Sequence, residues 1–341
     1  MKPTIKHVAK LAGVSFKTVS RVINKEDGVV PELQERVWKA VKELNYKPNK
    51  SARVLRGAVS SIGLIYDNPN SNYIIEMQNG ILSECRTKGY ELVIHPCQSK
   101  SPNLIDEILE MTDRSQVGGL ILTPPISEMP EVLKALQEKS IKSVSVLSGS
   151  EPPDPKVPCM FVDDRGAAYR ITEYLVKLGH NEIAFLGGEQ THKSNSERFE
   201  GYRLALRDNG VELKDLFILP GEFTFESGVE RTNRLLSGKQ KPTAVFAGND
   251  EIAAGVLFAS RLHGCSVPED LSIVGFEDSP FSRQTWPNLT TAQQPNRDIA
   301  HEATTLLVSL LKGRNKDLAN VSKGFSPQLI VRQSTCPPRN E

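Results

Sequence analysis

The sequence predicts an α/β protein: a three-helix helix-turn-helix head followed by a two-lobed body of doubly wound parallel sheets. Three observations predict it. Residues 4–24, TIKHVAKLAGVSFKTVSRVIN, place apolar residues at helical spacing on both sides of a glycine turn. From about residue 60, short apolar runs alternate with amphipathic stretches, the pattern of parallel strands covered by helices. Charge is also divided. Residues 1–57 hold 13 Lys/Arg against 5 Asp/Glu, whereas the rest hold 29 against 36, although the 341-residue chain nets only +1. A basic segment ahead of a mildly acidic body is the electrostatic footprint of a nucleic-acid reader.

In the first predicted helix Ile5, Val8, Leu11 and Ala12 share a face, and Ala9 is small enough for a second helix to cross closely. Gly13 stands where that helix must end, in the left-handed conformation that costs glycine least. Ser15 is a good cap for the next helix. There Val19, Val22 and Ile23 form an apolar stripe, and Phe16, Lys17, Ser20, Arg21 and Asn24 form the opposite, exposed one. Such a face offers donors to phosphates and base edges, which is the helix-turn-helix arrangement. A third helix is predicted from Pro31 to about Asn45, with Leu33, Val37, Val41 and Leu44 facing inward. Residues 47–57, KPNKSARVLRG, form a basic linker ending in glycine.

The strand-like runs of the body are SIGLIY, ELVIHP, GGLILT, SVSVLS, CMFVD, IAFLGG, LFILPG, AVFAGN and LSIVGF. Helical stretches lie between or after them, at roughly 73–88, 103–113, 129–139, 165–179, 196–209, 225–237, 250–263 and 295–312. Five strands precede residue 165 and several follow, so two sub-domains are expected to face each other across a cleft. Ligands of open parallel sheets bind beyond the carboxyl ends of the strands. Asp163, the pair Asn249–Asp250 and the pair Glu277–Asp278 all follow strands, and Arg198 opens a helix facing the cleft. Carboxylates, amides and a planar guanidinium suit vicinal hydroxyls. Tyr73, Phe223 and Trp286 offer aromatic faces to a sugar ring. Two of these groups also have plainer readings. Asn249–Asp250 would cap a helix from Glu251, and Trp286, before Pro287, would pack the core.

Composition bounds the function. A hydrophobic share of 38% and a charged share of 24% fit a folded globular chain. No signal segment or membrane-length apolar run is read, so the expected location is the cytoplasm, at the nucleoid, without a membrane partner. The five cysteines, Cys85, Cys97, Cys159, Cys265 and Cys336, include no CxxC pair, so neither zinc nor a disulfide framework is expected. Cys336 is expected to be exposed, in a disordered tail running to Glu341. No nucleophile elbow, phosphate loop, dinucleotide glycine fingerprint or HExxH occurs.

The run TIKHVAKLAGVSFKTVSRVIN, followed by ELNYKPNKSARVLRG, resembles the LacI/GalR family of bacterial transcription regulators. SIGLIYDNPN, ELVIHPC, GGLILTPP, LVKLGHNEIAFLGG, ERFEGYRLAL, AVFAGNDEIAAGVL, LSIVGFEDSP and PNLTTAQQP extend the resemblance through nearly the whole chain. It implies a head at 1–46, a hinge helix or linker at 47–59, and an effector-binding and dimerisation domain at 60–341 with a periplasmic-binding-protein-like fold. The implied N-subdomain covers about 60–162 and 294–323, and the C-subdomain about 163–293 and 324–335.

The resemblance also implies residue roles. Phe16, Lys17 and Arg21 would face base edges, Thr4, Ser15, Thr18, Ser20 and Asn24 would contact the DNA backbone, and Leu55 would wedge into the minor groove. Arg198, Asn249 and Glu277 are the main effector candidates, with Tyr73, Asp163, His192, Ser194, Phe223 and Gln294 beside them. The chain departs from the family pattern at four places: His7 and Val30 replace an acidic residue and a serine, Leu33 a threonine, and Glu277 the usual aspartate. VDDRGAAYRITEYL with GEFTFESG is similar to the salicin- and glucoside-linked members.

The implied function is a sequence-specific DNA-binding regulator, a repressor of carbohydrate-utilisation genes. A homodimer would read a palindromic operator under control of a small sugar, with no cofactor and no metal. No leucine-heptad tail follows residue 312, which argues against a tetramerising coil. The competing classes are a sugar- or nucleoside-processing enzyme on the same body and a solute-binding protein. Clustered carboxylates keep the first open, and the basic head opposes the second.

Overall fold

The computed structural model describes residues 3–23, 28–44, 46, 61–67, 72–149, 157–313 and 322–339. The chain divides into two compact units, Met1–Ser60 and Ser61–Glu341. Asn24, Leu55 and the linker at 47–59 lie outside the described residues.

The first unit holds α1 (Ile5–Ala12), α2 (Phe16–Ile23) and α3 (Pro31–Glu43). Their core is Val8, Ala9, Ala12, Val19, Val22, Val37 and Ala40. Leu11, expected in that core, is 46% exposed. At about 100° per residue the stripe of Ile5, Val8, Ala9 and Ala12 is centred well away from position 11. Gly13 ends α1 at φ +63°. From α3, Arg36 donates to the Ala12 carbonyl at 2.8 Å and so satisfies the end of α1 across the bundle.

The second unit contains two six-stranded sheets. The first has the order β11–β5–β4–β3–β1–β2, built from Lys323–Phe325, Cys159–Val162, Lys142–Ser148, Gly119–Leu122, Ser61–Tyr66 and Glu91–Pro96. The second has the order β12–β10–β9–β8–β6–β7, from Gln328–Ile330, Thr290–Gln293, Ser272–Glu277, Ala244–Ala247, Ile183–Leu186 and Ile218–Leu219. All pairings are parallel except β10 with β12. Each sheet reverses its strand order once, between β1 and β3 and between β6 and β8, and such switch points open the crevices in which ligands sit.

Helices α4 (Asn72–Lys88), α5 (Leu104–Arg114), α6 (Pro130–Glu138) and α12 (Asn296–Leu311) accompany the first sheet. The second has α7 (Asp164–Lys177), α8 (Lys193–Asp208), α9 (Phe225–Leu236), α10 (Asp250–Leu262) and the short α11 (Pro280–Gln284). Although α12 follows β10, its Ile299, Ala303 and Leu307 pack with Ile62, Leu64 and Ile121 of the first sheet. The chain therefore passes between lobes after Val162, after Gln293 and after Phe325.

Three expectations change. The third passage falls at 326–327 instead of after 323, because Lys323–Phe325 pairs with Met160–Val162. The LFILPG strand shrinks to Ile218–Leu219, since 215–217 forms a 3-10 turn. The tail is ordered to Arg339: the Cys336 carbonyl accepts from Ser272 Oγ at 3.0 Å and lies 2.9 Å from His180 Nε2, and Cys336 itself is half-buried. Among the described residues no helix is long and apolar enough to cross a membrane.

Candidate functional site

On the head, Phe16 is 58% exposed and Lys17 is exposed, whereas Thr18, Ser20 and Arg21 are half-buried. Ser15 Oγ accepts the Thr18 N–H at 3.0 Å and sits 2.9 Å from Thr18 Oγ1, so both hydroxyls also serve the first turn of α2. Thr4 is exposed, and its N–H donates to His7 Nδ1 at 3.2 Å. The imidazole thus reaches back over the start of α1 as a capping-box carboxylate would, which gives the departure at His7 a local reason. Val30 has no side-chain donor or acceptor for the start of α3, and Pro31 follows it at the first helical position.

In the body, a cavity of about 470 Å³ is lined from both lobes. Tyr73, Asp67, Ser99 and Ser148 come from the first lobe, and Arg198, His192, Ser194, Phe223, Asn249, Glu277 and Ser279 from the second, with Gln294 at a passage between them. At its centre Arg198, 4% exposed, donates to Asp164 Oδ1 at 2.8 Å and to the Gly248 carbonyl at 2.6 Å. The guanidinium also lies 3.7 Å above the Phe276 ring. Ser148 Oγ donates to the other oxygen of Asp164 at 2.7 Å. Burial raises the Asp164 carboxyl, and the Arg198 charge opposes that rise. Glu128 accepts the Ser148 N–H at 2.9 Å and the Lys193 N–H at 3.4 Å, so it too touches both lobes.

Glu277 carries the least ordinary backbone of the site. It sits at φ +102° and the next residue, Asp278, at φ +56°, a conformation that side-chain-bearing residues rarely take. Asp278 holds the turn down through Arg332 at 2.6 Å, Arg283 at 2.9 Å and Gln293 at 2.9 Å. The turn delivers Glu277 to the cavity, where desolvation pushes its carboxyl up to about 8 despite the Arg198 charge. Burial, and then the Glu128, Glu277 and Asp164 charges, raise the Tyr73 hydroxyl as well. His192 is lowered by desolvation and stands edge-on to Phe223 at 5.7 Å. Phe223 closes on Gly188 so tightly that a Cβ there would lie 2.2 Å from its ring, so any larger residue would have to displace the ring.

The cavity gathers Tyr73, His192, Ser194, Arg198, Phe223, Asn249, Glu277 and Gln294. Two expected groups are elsewhere. Asp163 caps α7, accepting the Gly166 N–H at 2.9 Å, and its neighbour Asp164 lines the cavity instead. A one-residue difference at a helix start turns the carboxylate from the cap position toward the core. Trp286 is 73% exposed and borders a separate groove with Arg261 and Pro287, so it neither packs the core nor faces this cavity. Asn249, rather than Asp250, caps α10 by accepting the Ile252 N–H at 2.8 Å. Asp250 is buried, binds Thr291 Oγ1 at 2.5 Å and the Ser279 N–H at 2.6 Å, and rises to about 7 through desolvation.

Sequence reasoning also missed Ser148, Glu128 and Ser279. The first ends a strand, the second sits in a 3-10 turn and the third precedes α11. None carries a local signal: Ser148 and Ser279 reach the cavity only through the packing of other segments, and Glu128 bonds the cavity residue Ser148 and Lys193 of the other lobe.

Residues 4–49 match the family described as bacterial regulatory proteins, lacI family, and residues 172–335 match the periplasmic binding protein-like domain. The repressor PurR of Haemophilus influenzae is 33% identical over 336 residues, covering 97% of this chain and 98% of its own. The chain belongs to the lacI family of bacterial regulatory proteins. PurR of Vibrio vulnificus is 31% identical over 332 residues, with 97% and 98% covered.

Among solved structures, the transcriptional regulator CelR in complex with cellobiose superposes with a TM-score of 0.74 at 29% identity, covering 97% of this chain and 99% of that one. The lac repressor dimer bound to operator and the anti-inducer ONPF gives 0.76 at 26% identity, covering 98% and 100%. This lacI-family chain is therefore a DNA-binding transcriptional repressor with a ligand-binding effector domain, and not an enzyme. Repressors of this family bind operator DNA and small-molecule effectors, typically as dimers.

Proposed function

We propose that this repressor answers to a neutral sugar of the glucoside class, held in the interlobe cavity, and that it controls carbohydrate-utilisation genes as a homodimer on a palindromic operator. The carrying observation is the charge of the cavity wall. Asp67, Asp164, Glu189 and Glu251 face it with two cations, Lys100 and Arg198, and Arg198 is already paired with Asp164; Glu277, whose carboxyl stands at about 8, adds a protonated carboxyl at neutral pH. A phosphorylated ligand would meet net repulsion there, whereas vicinal hydroxyls meet donors and acceptors of both kinds. Gln294 Oε1 lines the cavity, is buried and has no hydrogen-bond partner among the described residues, which suits a polyol. CelR, one of the matched structures, is described with cellobiose.

Control follows from the residues that join the walls. A sugar seated on Arg198, Asn249 and Glu277 on one side and on Tyr73 on the other binds the closed and open clefts unequally, and only unequal binding shifts an equilibrium. The Ser148–Asp164 and Glu128–Lys193 bonds join the two lobes, so a change in cleft angle would have to strain or break them. Phe16, Lys17 and Arg21 then read bases, Thr4, Ser15, Thr18, Ser20 and Asn24 hold phosphates, and Leu55 enters the minor groove.

The test is an operator gel-shift titrated with glucosides, phosphosugars and purine bases, beside a thermal-shift screen of the same panel. A glucoside that raises the melting temperature and releases the operator supports the reading. A response confined to phosphosugars or purines overturns the sugar assignment.

A further inference from the structure

We propose that His95, Cys97 and Glu107 form a binding site for a zinc-class divalent cation on the first lobe of the body. The three side chains come from two elements. His95 lies in β2 and Cys97 directly follows its last residue, Pro96, where the Cys97 N–H still bonds the neighbouring Tyr66 carbonyl, so the two-residue spacing of extended chain puts both on one face. Glu107 comes from the first turn of α5, which packs over that face through Leu104, Ile108 and Met111. His95 Nε2 lies 3.0 Å from Glu107 Oε1, and one ligand atom from each of the three residues falls within 4.8 Å of the others.

A tetrahedral zinc with bonds of about 2.0–2.3 Å needs its donors roughly 3.3–3.8 Å apart, so small side-chain rotations close the set. Imidazole, thiolate and carboxylate together select zinc over calcium or magnesium, which ask for oxygen alone. Charge also balances: the cation displaces one proton from the Cys97 thiol to water, and the thiolate and the Glu107 carboxylate neutralise it beside a neutral imidazole.

The surroundings fit a bound ion. Cys97, 5% exposed, packs with Ile65, Leu104 and Ile108, which shield the sulfur. Its N–H donates to the Tyr66 carbonyl at 2.8 Å, which fixes the backbone. The Glu107 side chain is 39% and that of His95 19% exposed, so the cation has an entry path and a fourth position open to water. No CxxC spacing announces the site, because its third donor arrives from the helix. The strand end it would pin leads directly to Ser99 and Lys100, which line the effector cavity.

The full-length protein, stripped with chelator, is titrated with cobalt(II) and then with zinc. One equivalent of cobalt should give a thiolate-to-cobalt charge-transfer band that zinc abolishes. Cys97→Ser should lose the band. His95→Gln and Glu107→Gln, which keep the thiol, should weaken cobalt binding at least about tenfold, since even outer-shell changes cost that much. Metal-free melting curves establish that each variant folds. If Cys97→Ser does not fold, the other two variants decide. Absence of the band in the wild type, its survival in Cys97→Ser, or unchanged affinity in both His95→Gln and Glu107→Gln overturns the proposal.

Discussion

The head and the effector cavity carry charge in opposite ways. On α2 the proposed reading groups Phe16 and Lys17 are exposed, and the seven described core residues of the bundle are all apolar. In the cavity Arg198 and Asp164 are almost wholly buried and bonded to each other, to Ser148 and to the Gly248 carbonyl. An exposed donor can be exchanged without disturbing the fold that carries it. A buried ion pair cannot, because removing one partner strands the other charge away from water. Recognition and stability should therefore be separable in the head and inseparable in the cleft.

The sharpest test is Arg198→Ala. It leaves Asp164 buried without its cation and should cost about 3–5 kcal/mol of body stability in urea denaturation, together with the effector response. A loss below 1 kcal/mol with the ligand response intact would erase the contrast. In the head, Lys17→Ala, at an exposed donor, should cost about 1–3 kcal/mol of operator affinity by gel shift, with stability changed by no more than about 0.5 kcal/mol.

Glu277 adds a pH signature. Its carboxyl stands at about 8 in the folded protein against an ordinary 4.5, so its share of stability is complete below about pH 4.5 and is lost as pH rises through 8. Asp250, at about 7, acts in the same direction. Glu277→Gln should stabilise the body by about 1–2 kcal/mol more at pH 9 than at pH 5. Equal effects at both pH values would mean that Glu277 is already ionised in the cleft. The smallest effect is that of Asp163→Ala. Loss of the α7 cap should cost about 1 kcal/mol while effector affinity by calorimetry stays the same. A large loss of affinity would return Asp163 to the site in place of Asp164.

Legibility followed the range of the interactions. The three head helices were readable because capping, glycine punctuation and helical spacing act over four residues, and Ser15, Gly13 and Pro31 stand where those rules put them. Leu11 was misplaced because two spacing rules overlap on a two-turn helix. Most body strands were readable as apolar runs. Thr290–Gln293, Lys323–Phe325 and Gln328–Ile330 were not, since they are short and polar, and the last two find their partners only after the chain has crossed between lobes.

Apolar period, caps and charge segregation are local, so the residue order alone determined the helix-turn-helix head, the alternation of strands and helices, and the basic-to-acidic division of the chain. Which carboxylate faces the cleft was decided only by tertiary structure. Asp163 or Asp164, and Asn249 or Asp250, are sorted by partners tens of residues away, Arg198 for Asp164 and Ser279 and Thr291 for Asp250. The energy that sorts them is the cost of burying a charge, and that cost is defined only once the interior exists.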